Sequence, residues 1–542
     1  MRGIETGKAR IRHEVFTEIA RMAYEGGDYA KRLEELPFKI IPGEIGSYRD
    51  SLFLERAVVG ERLRLAMGLP LRKFRSSPCY SDGVERRLDP DIYYERPLIN
   101  VIKFACNRCP DNVVKITNVC QGCLEHPCMA VCPRQAITRQ NGQAHIDQDK
   151  CIKCGKCKAA CPYDAIAHEI RPCAEACGVN AIESDDLGRA YINPDRCVSC
   201  GMCMVNCPFG AIADKSQIFQ LIRALKEGGE IVAEVAPAIV GQFGPHGSPK
   251  RVKAALMELG FSEVYEVALG ADMGAATEAR HYVEEVVNGD LPFLLTSCCP
   301  SWSMLAKVYF PEMIDKISNA LTPMVATART IKQKHPNARV VFIGPCASKK
   351  LEASRRSVRS DVDFVITFEE LDAIFEAKGI DMSSYDKEVE LHDATGAGRG
   401  YAVAGGVAEA IEKCVNAYYP GVDVNIEHAE GLAECRKILM MAKAGKMDGC
   451  LIEGMGCPGG CVNGGGSHQV PYGIRNFVDI RAERAKVLYN LDAKKSCCAS
   501  PMRTRIFRNF TRTTWVSRAV KKPSSDCTPP MSNDTVNRVY GK

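Results

Sequence analysis

Three short cysteine-bearing segments that lie far apart in the chain carry residue types suited to metal chemistry. They are TSCCPSW from Thr296, GPCASKKLE from Gly344 and EGMGCPGGCVNGGG from Glu453. Each segment follows a short apolar run that is typical of a buried strand. Because ligand sites in open α/β sheets form beyond the carboxyl ends of the strands, we expect the three loops to meet at one place.

The meeting of these loops would bring together four thiols, the number that holds one iron–sulfur cube. The four thiols belong to Cys299, Cys346, Cys457 and Cys461. A fifth thiol, that of Cys298, stands directly beside one of these ligands and has no evident structural role. A cube with four cysteine ligands normally only passes electrons, so the additional thiol favours an enzyme over an electron carrier.

Between residues 100 and 210 the cysteines follow the spacing of cluster-binding ferredoxins. A CxxC-x4-C-x3-CP run and a CxxCxxCxxxCP run follow one another, and in such runs the last cysteine crosses to the neighbouring cluster. We therefore predict a two-cluster ferredoxin unit over residues 115–168. Its first cluster would take Cys120, Cys123, Cys128 and Cys161, and its second cluster Cys151, Cys154, Cys157 and Cys132.

A third run, which starts at Cys197, has no adjacent partner run, and the missing half occurs in two pieces. We predict a second ferredoxin-like unit, residues 104–112 and 170–212, whose first motif is split by insertion of the first unit. Its two clusters would take Cys197, Cys200, Cys203 and Cys177, and Cys106, Cys109, Cys173 and Cys207. Sixteen cysteines then fill four 4Fe–4S clusters, and three clusters with unassigned thiols is the alternative.

The three downstream segments resemble the signature motifs of the [FeFe]-hydrogenases, in particular the monomeric clostridial-type branch with an N-terminal iron–sulfur region. The resemblance covers about residues 230–490. It implies a fold in which an α+β ferredoxin-like region is followed by an α/β hydrogenase catalytic domain. It also implies an H-cluster, in which Cys461 bridges the cube to a diiron unit that carries CO, cyanide and a dithiolate.

The resemblance assigns further roles around this cluster. Lys349 matches a lysine that hydrogen-bonds an iron-bound cyanide, and Met455 matches a methionine that packs against the diiron unit. Gly464, Gly465 and Gly466 would let the backbone approach the inorganic core closely.

A proton route is also implied. Cys298 matches the thiol that passes protons to the bridging amine, followed outward by Glu278 and Ser318. The chain departs from the family pattern at Ala275, where a glutamate is usual, and at Tyr282, where an arginine is usual. We therefore expect protons to pass through water or another side chain over part of this route.

The reaction implied is the reversible reduction of protons to H₂, with electrons that arrive from ferredoxin or flavodoxin over the N-terminal clusters. The diiron unit would need dedicated maturation enzymes. Two alternatives stay open: an H₂ sensor, although no signalling domain is recognised, and an iron–sulfur electron carrier or assembly factor without diiron. Assembly proteins of this type generally lack the second adjacent thiol.

The length and composition of the chain indicate how many domains it forms and what its cysteines bind. The 542 residues are 46% hydrophobic and 25% charged, and 28 of them are cysteines, so several globular domains with metal rather than disulfides are expected. We predict a helical region over residues 1–98, iron–sulfur domains over 99–215 and a catalytic domain over 230–492. In the catalytic domain the pattern predicts, among other elements, strands at Val264–Leu269 and Val340–Ile343 and a helix at Pro249–Leu259. Without a signal-peptide pattern or a long apolar run, the chain is expected to be cytoplasmic, with no membrane partner.

The C-terminal segment differs from the rest of the chain. Residues 496–542 carry nine basic and two acidic residues and show no helical or strand period. We interpret this basic tail as disordered or aberrant rather than as a nucleic-acid-binding module.

Overall fold

The computed structural model describes residues 6–73, 79–244, 247–391, 394–468 and 478–493, and the basic tail lies outside the described residues. No helix in those ranges is long and apolar enough to cross a bilayer. The predicted fold class, a ferredoxin-like region followed by an α/β catalytic region, is confirmed.

The N-terminal part is helical. Side-chain oxygens of Thr6, Asp28 and Ser51 accept hydrogen bonds from the first-turn amides of its three long helices, which fixes where each helix begins. These helices are α1 (Gly7–Glu25), α2 (Tyr29–Ile40) and α3 (Leu52–Ala66). Their apolar side chains belong to the same core cluster as the central strands of the catalytic region.

The iron–sulfur region consists of short strands and short helices in a nested order. Its strands are β1 (Ile99–Val101), β2 (Val113–Ile116), β3 (Ile137–Gln140), β4 (Gln143–Ile146), β5 (Ile166–Glu169), β6 (Ile182–Ser184), β7 (Ala190–Ile192) and β8 (Ile212–Asp214). Its helices are α4 (Pro127–Ala130), α5 (Lys156–Ala160), α6 (Pro172–Glu175) and α7 (Met202–Asn206). Strand β2 pairs antiparallel with β5, and β1 pairs antiparallel with β8, so an inner pair lies within an outer pair along the chain.

The catalytic region contains two parallel sheets flanked by helices, with strand orders β10-β9-β12-β13 and β11-β15-β14. The strands are β9 (Ile231–Val235), β10 (Glu263–Glu266), β11 (Phe293–Leu295), β12 (Arg339–Gly344), β13 (Phe364–Thr367), β14 (Asn425–Glu430) and β15 (Cys450–Met455). The helices are α8 (Ile218–Glu227), α9 (Pro249–Leu259), α10 (Ala268–His281), α11 (Pro300–Tyr309), α12 (Pro323–Lys334), α13 (Ala347–Ala353), α14 (Phe368–Ala377), α15 (Gly396–Gly400), α16 (Gly406–Tyr418), α17 (Leu432–Lys443) and α18 (Ile480–Ala493).

One strand expectation is wrong at its end. The apolar run Val264–Leu269 is typical of a strand, but β10 ends at Glu266 and α10 begins at Ala268. Ala268 and Leu269 are buried in the first turn of that helix. A short apolar run can be fully buried in a strand or in a helix, so its hydrophobic pattern does not distinguish the two elements.

A buried ionic network joins the three parts of the chain. Lys350 Nζ lies 2.8 Å from Asp214 Oδ2 and 2.9 Å from Glu370 Oε1, and all three side chains are fully buried. Arg12 Nη2 lies 2.8 Å from Asp214 Oδ1, and Arg12 Nε lies 2.9 Å from Glu369 Oε2. Burial alone would raise the pKa of Asp214, but Lys350 and Arg12 hold it well below its usual value. The network therefore ties α1 to strand β8 and to helices α13 and α14.

Removal of the central cation should be strongly destabilising. Lys350→Met leaves two buried carboxylates without their ammonium partner, and we expect the free energy of unfolding to fall by about 3–5 kcal/mol. The exposed i,i+4 pair between Lys413 and Glu409 provides the control, because Lys413→Met should cost about 0.5 kcal/mol or less. Guanidinium unfolding curves of the anaerobic protein measure both changes. Equal midpoints for the two variants would contradict this role of the network.

Candidate metal centre

The three cysteine-bearing loops all follow parallel strands. Strands β11 and β15 are paired, with Leu295 opposite Ile452, so the loops that follow them leave the same sheet edge. Cys299 stands at the N-cap of α11, and Cys346 stands at the N-cap of α13 after β12. A helix N-terminus favours the charged thiolate form of a cysteine, which is the form that binds metal.

The four predicted cube ligands are neighbours in the fold, and each of them is half-buried. Burial raises the pKa of Cys346 to about 11, and the nearby Cys299 adds to the shift. Burial also raises the pKa of Cys457 and Cys461 well above the usual value, and each of these two thiols lies near Cys299 and Cys346. The thiols of Cys346, Cys457 and Cys461 therefore stay protonated unless a cationic metal stabilises their thiolates. The donor set therefore fits an iron–sulfur cube.

Hydrogen bonds between the loops fix their relative positions. The hydroxyls of Ser301 on α11 and Ser348 on α13 are 2.6 Å apart, and Ser348 Oγ donates to Val198 O at 2.8 Å. The amide of Gly456 lies 3.4 Å from Cys299 Sγ. Two catalytic loops are thus joined to each other and to the loop that carries Cys197 and Cys200.

The glycine run after Cys461 packs closely against other loops. A Cβ on Gly464 would lie 2.5 Å from Pro345 O, and a Cβ on Gly466 would lie 2.4 Å from Thr367 Cγ2. A Cβ on Gly465 would lie 3.1 Å from Cys200 O. Contacts within the protein thus already exclude larger residues at Gly464 and Gly466, and the predicted approach to an inorganic core stays a prediction.

Lys349 and Met455 both lie at this pocket. The Lys349 ammonium donates to Glu352 Oε2 at 2.6 Å, and both side chains are buried. Burial opposes the charged form of Lys349, but the Glu352 carboxylate outweighs it and raises the lysine pKa. Met455 is 2% exposed and belongs to the apolar cluster that Cys298 and Cys299 pack against.

The predicted proton-route residues lie together in the protein interior. Glu278 Oε1 accepts hydrogen bonds from the amide of Ser297 at 2.8 Å and from its hydroxyl at 2.9 Å, and Ser318 also hydrogen-bonds this carboxyl. Burial raises the pKa of Glu278, although these hydrogen bonds oppose the shift. Burial, with the nearby Glu278, also raises the pKa of the Cys298 thiol well above its usual value. A neutral thiol is thus placed near a carboxyl that can take up or release a proton closer to neutral pH.

Three residues beside this route were not identified from the sequence. His281 Nδ1 lies 3.3 Å from Ser318 Oγ, and burial lowers the pKa of His281 to about 4, so the ring is neutral at physiological pH. The buried Tyr401 hydroxyl has no hydrogen-bond partner among the described residues and lies near Glu278 and Cys298. Glu453 accepts the amides of Gly405 and Ala408 at 2.8 Å each, and burial raises its pKa to about 7. No ligand spacing marks these residues, although Glu453 opens a cysteine-bearing segment.

In the first predicted ferredoxin unit, thiols from the two runs are neighbours. Burial raises the pKa of Cys128, with Cys161 of the other run nearby, and it raises the pKa of Cys157, with Cys132 nearby. Cys154 is exposed, while Cys120 and Cys123 are half-buried. One pocket is lined by all four thiols predicted for the second cluster, namely Cys132, Cys151, Cys154 and Cys157.

In the predicted split unit, thiols that are far apart in the sequence are also neighbours in the fold. Burial raises the pKa of Cys173 to about 12, and Cys207, Cys106 and Cys109 lie close enough to add to the shift. Burial also raises the pKa of Cys203 well above its usual value, and the nearby Cys200, Cys197 and Cys177 add to the shift. The two groups are the two ligand sets predicted for this unit.

Among the described residues, no three His, Cys, Asp or Glu side chains are arranged to hold one metal ion. A cube makes a different demand on its ligands, because each of its four thiolates binds a different iron atom.

Known protein families match both regions. The family model described as the iron only hydrogenase large subunit, C-terminal domain, matches residues 229–465. The model of the 4Fe-4S binding domain matches residues 144–167 and 190–213.

Individual relatives agree with these family matches. Iron hydrogenase 1 of Clostridium pasteurianum is 27% identical over 488 residues, which cover 79% of this chain and 84% of the relative. The periplasmic [Fe] hydrogenase large subunit of Nitratidesulfovibrio vulgaris is 31% identical over 387 residues, which cover 62% of this chain and 88% of the relative. Cytosolic iron-sulfur assembly component 3 of Bos taurus is 25% identical over 299 residues, which cover 44% of this chain and 63% of the relative.

Proposed function

The chain belongs to the iron-only, or [FeFe]-, hydrogenase family, and on that premise we propose that it catalyses the reversible reduction of protons to H₂. One observation carries the proposal: the half-buried thiol of Cys298, whose pKa is raised, lies near Cys299 and Cys461 of the predicted ligand set and near the buried carboxyl of Glu278. An electron carrier needs only the four ligands. A thiol next to a proton-accepting carboxyl is the additional feature that proton chemistry requires.

The four-thiol pocket would hold the cube, with Cys299, Cys346, Cys457 and Cys461 as ligands and Cys461 as the bridge to the diiron unit. When bound, the diiron unit supplies the open metal position at which protons and electrons combine. Lys349 carries the cationic head that would hydrogen-bond an anionic ligand there, and Glu352 holds that head in place.

Electrons would reach the pocket through the iron–sulfur region, from ferredoxin or flavodoxin as the external donor. Cys200 lies near Cys346 and near Cys457, so a cluster on Cys177, Cys197, Cys200 and Cys203 would be the last one before the cube. Cys154 is the one exposed thiol among the predicted ligands, so the second cluster of the inserted unit would be a suitable point of electron input.

Protons would follow a route that differs from the usual family pattern. The hydrogen bonds run from Glu278 to Ser318 and from Ser318 to His281. His281 directly precedes Tyr282, which stands where the family has an arginine. A neutral imidazole accepts a proton on one nitrogen and releases one from the other, so His281 can continue the route outward from Ser318.

The similarity to the bovine assembly component supports one alternative, an iron–sulfur assembly factor without diiron. The two functions differ in whether they require the Cys298 thiol. An assembly factor needs the cubes but has no use for a proton-transferring thiol, so the substitution of Cys298 separates the two.

Cys298→Ser should retain all cluster iron and lose at least about 10²-fold in H₂ production, since serine is a much weaker acid than a thiol. Cys414→Ser, which alters a buried thiol of helix α16 without ligand spacing, is the matched control and should keep its activity. Iron content and H₂ production from reduced viologen measure the two effects after coexpression with diiron maturation enzymes. Unchanged turnover in Cys298→Ser would remove the relay role, and an inactive parent chain would favour the assembly factor.

His281→Leu should lower turnover by roughly tenfold or more, because that step of proton transfer is left to water. The cluster signals in electron paramagnetic resonance (EPR) spectra should stay unchanged, because His281 is not among the predicted ligands. His428→Leu changes an exposed histidine on strand β14 and serves as the control. Equal turnover in both variants would show that protons bypass His281.

A further inference from the structure

Cations from the N-terminal region donate to backbone carbonyls around Cys207 and next to Cys106. Lys8 Nζ donates to Val205 O at 2.8 Å and to Cys207 O at 3.3 Å. Arg49 Nη2 donates to Ala105 O at 2.9 Å and to Phe209 O at 3.1 Å. The helical region, which the sequence leaves without a role, thus places positive charge around Cys207 and beside Cys106.

Arg62 on helix α3 is the most deeply buried member of this group. Its Nη2 donates to Gly210 O, its Nε has no hydrogen-bond partner among the residues that the structure describes, and the residue is 7% exposed. Within the described ranges no carboxylate lies within ion-pair distance of it, whereas the neighbouring Arg12 has two carboxylate partners. Burial lowers the pKa of Arg62 to about 10, and Arg12 adds to this shift. A buried cation without a counter-charge is costly, so its position calls for an anion.

The candidate anion is a cysteine ligand. Arg62 donates to Gly210 O, and the Gly210 amide donates to Cys207 O at 3.3 Å, so the guanidinium lies one turn from Cys207. Tyr48 and Cys207 are the two neighbouring acidic groups that favour the charged form of Arg62, and burial raises the pKa of Tyr48, which keeps its phenol neutral. Cys207 is 6% exposed and lies near Cys173, which is also 6% exposed. Four thiolates bound to a 4Fe–4S core leave the group with a net negative charge, and reduction adds one more. In a buried site such a charge interacts strongly with a fixed cation, because little water screens it.

We propose that Arg62 is the counter-charge of the 4Fe–4S cluster on Cys106, Cys109, Cys173 and Cys207, and that with Arg49 it raises the reduction potential of this cluster. Net charge, burial and hydrogen bonding around the ligands set the potentials of such clusters. The inference rests on the iron–sulfur part of the proposed function and not on the diiron unit. The N-terminal region would then tune electron transfer, because its cations stabilise the reduced state of this cluster.

The test separates charge from packing with three variants of the full chain. Arg62→Gln removes the charge but keeps an amide donor for Gly210 O, and Arg62→Lys keeps the charge. Arg56→Gln is the matched control, because Arg56 lies on the same helix and also donates to backbone carbonyls, those of Ile41 and Gly43. Each protein is purified anaerobically without diiron maturation enzymes, and its clusters are titrated with EPR detection at controlled potential.

We expect Arg62→Gln to shift one cluster to a lower midpoint potential, with the other clusters, the iron content and the control unchanged. Arg62→Lys should stay near the parent value. Equal midpoints in Arg62→Gln and the parent would overturn the proposal, as would an equal shift in Arg62→Lys. If Arg62→Gln fails to fold, Arg49→Gln tests the proposal in its place. Arg49→Gln should lower the same midpoint potential, and an unchanged midpoint potential would contradict the proposal. Because no diiron unit takes part, this result is independent of whether the chain produces H₂.

Discussion

The positions of the metal-binding loops depend on the buried ionic network around Lys350. Lys350 directly follows Lys349 on helix α13, and its ammonium is held by Asp214 at the end of the iron–sulfur region and by Glu370 of the catalytic region. Two buried carboxylates and one ammonium tolerate little displacement, because each lost contact leaves a charge without solvation. The helix that begins at Cys346 is thereby fixed against the loops that carry the other clusters. Arg12 extends the network to the N-terminal helices, which are the elements that also cover Cys207.

The parts of the structure that local spacing determines could be predicted from the sequence. Helix Pro249–Leu259 has the predicted bounds, and strand β12 contains the predicted run Val340–Ile343. The cysteine sets follow from fixed intervals in the chain, and even the split set could be assembled because each half keeps its own interval. The apolar pattern predicts a strand through Leu269, whereas the residue lies in the first turn of α10. A fully buried short strand and a fully buried helical turn have the same apolar pattern in the sequence.

Contacts across long separations could not be predicted. His281 lies beside Ser318, and Arg62 beside Gly210, only because the folded elements pack there, and no interval in the sequence records either contact. Both side chains are buried polar groups with few hydrogen-bond partners. A group of this kind needs an explanation, and a cofactor site or a proton route provides one. Under the proposed function, the same packing would let a chain with Ala275 and Tyr282 retain a route for protons, because His281 lies beside Ser318 and directly precedes position 282.

Infrared spectroscopy tests the central claim, that this pocket carries a diiron unit next to a cube, more directly than any other measurement. The protein would be coexpressed with diiron maturation enzymes, purified anaerobically and measured with and without H₂, beside a known hydrogenase matured in the same cells. We expect sharp CO and cyanide bands that shift under H₂. A full complement of cubes without such bands, while the known hydrogenase shows them, would contradict it and would leave an electron carrier or assembly factor.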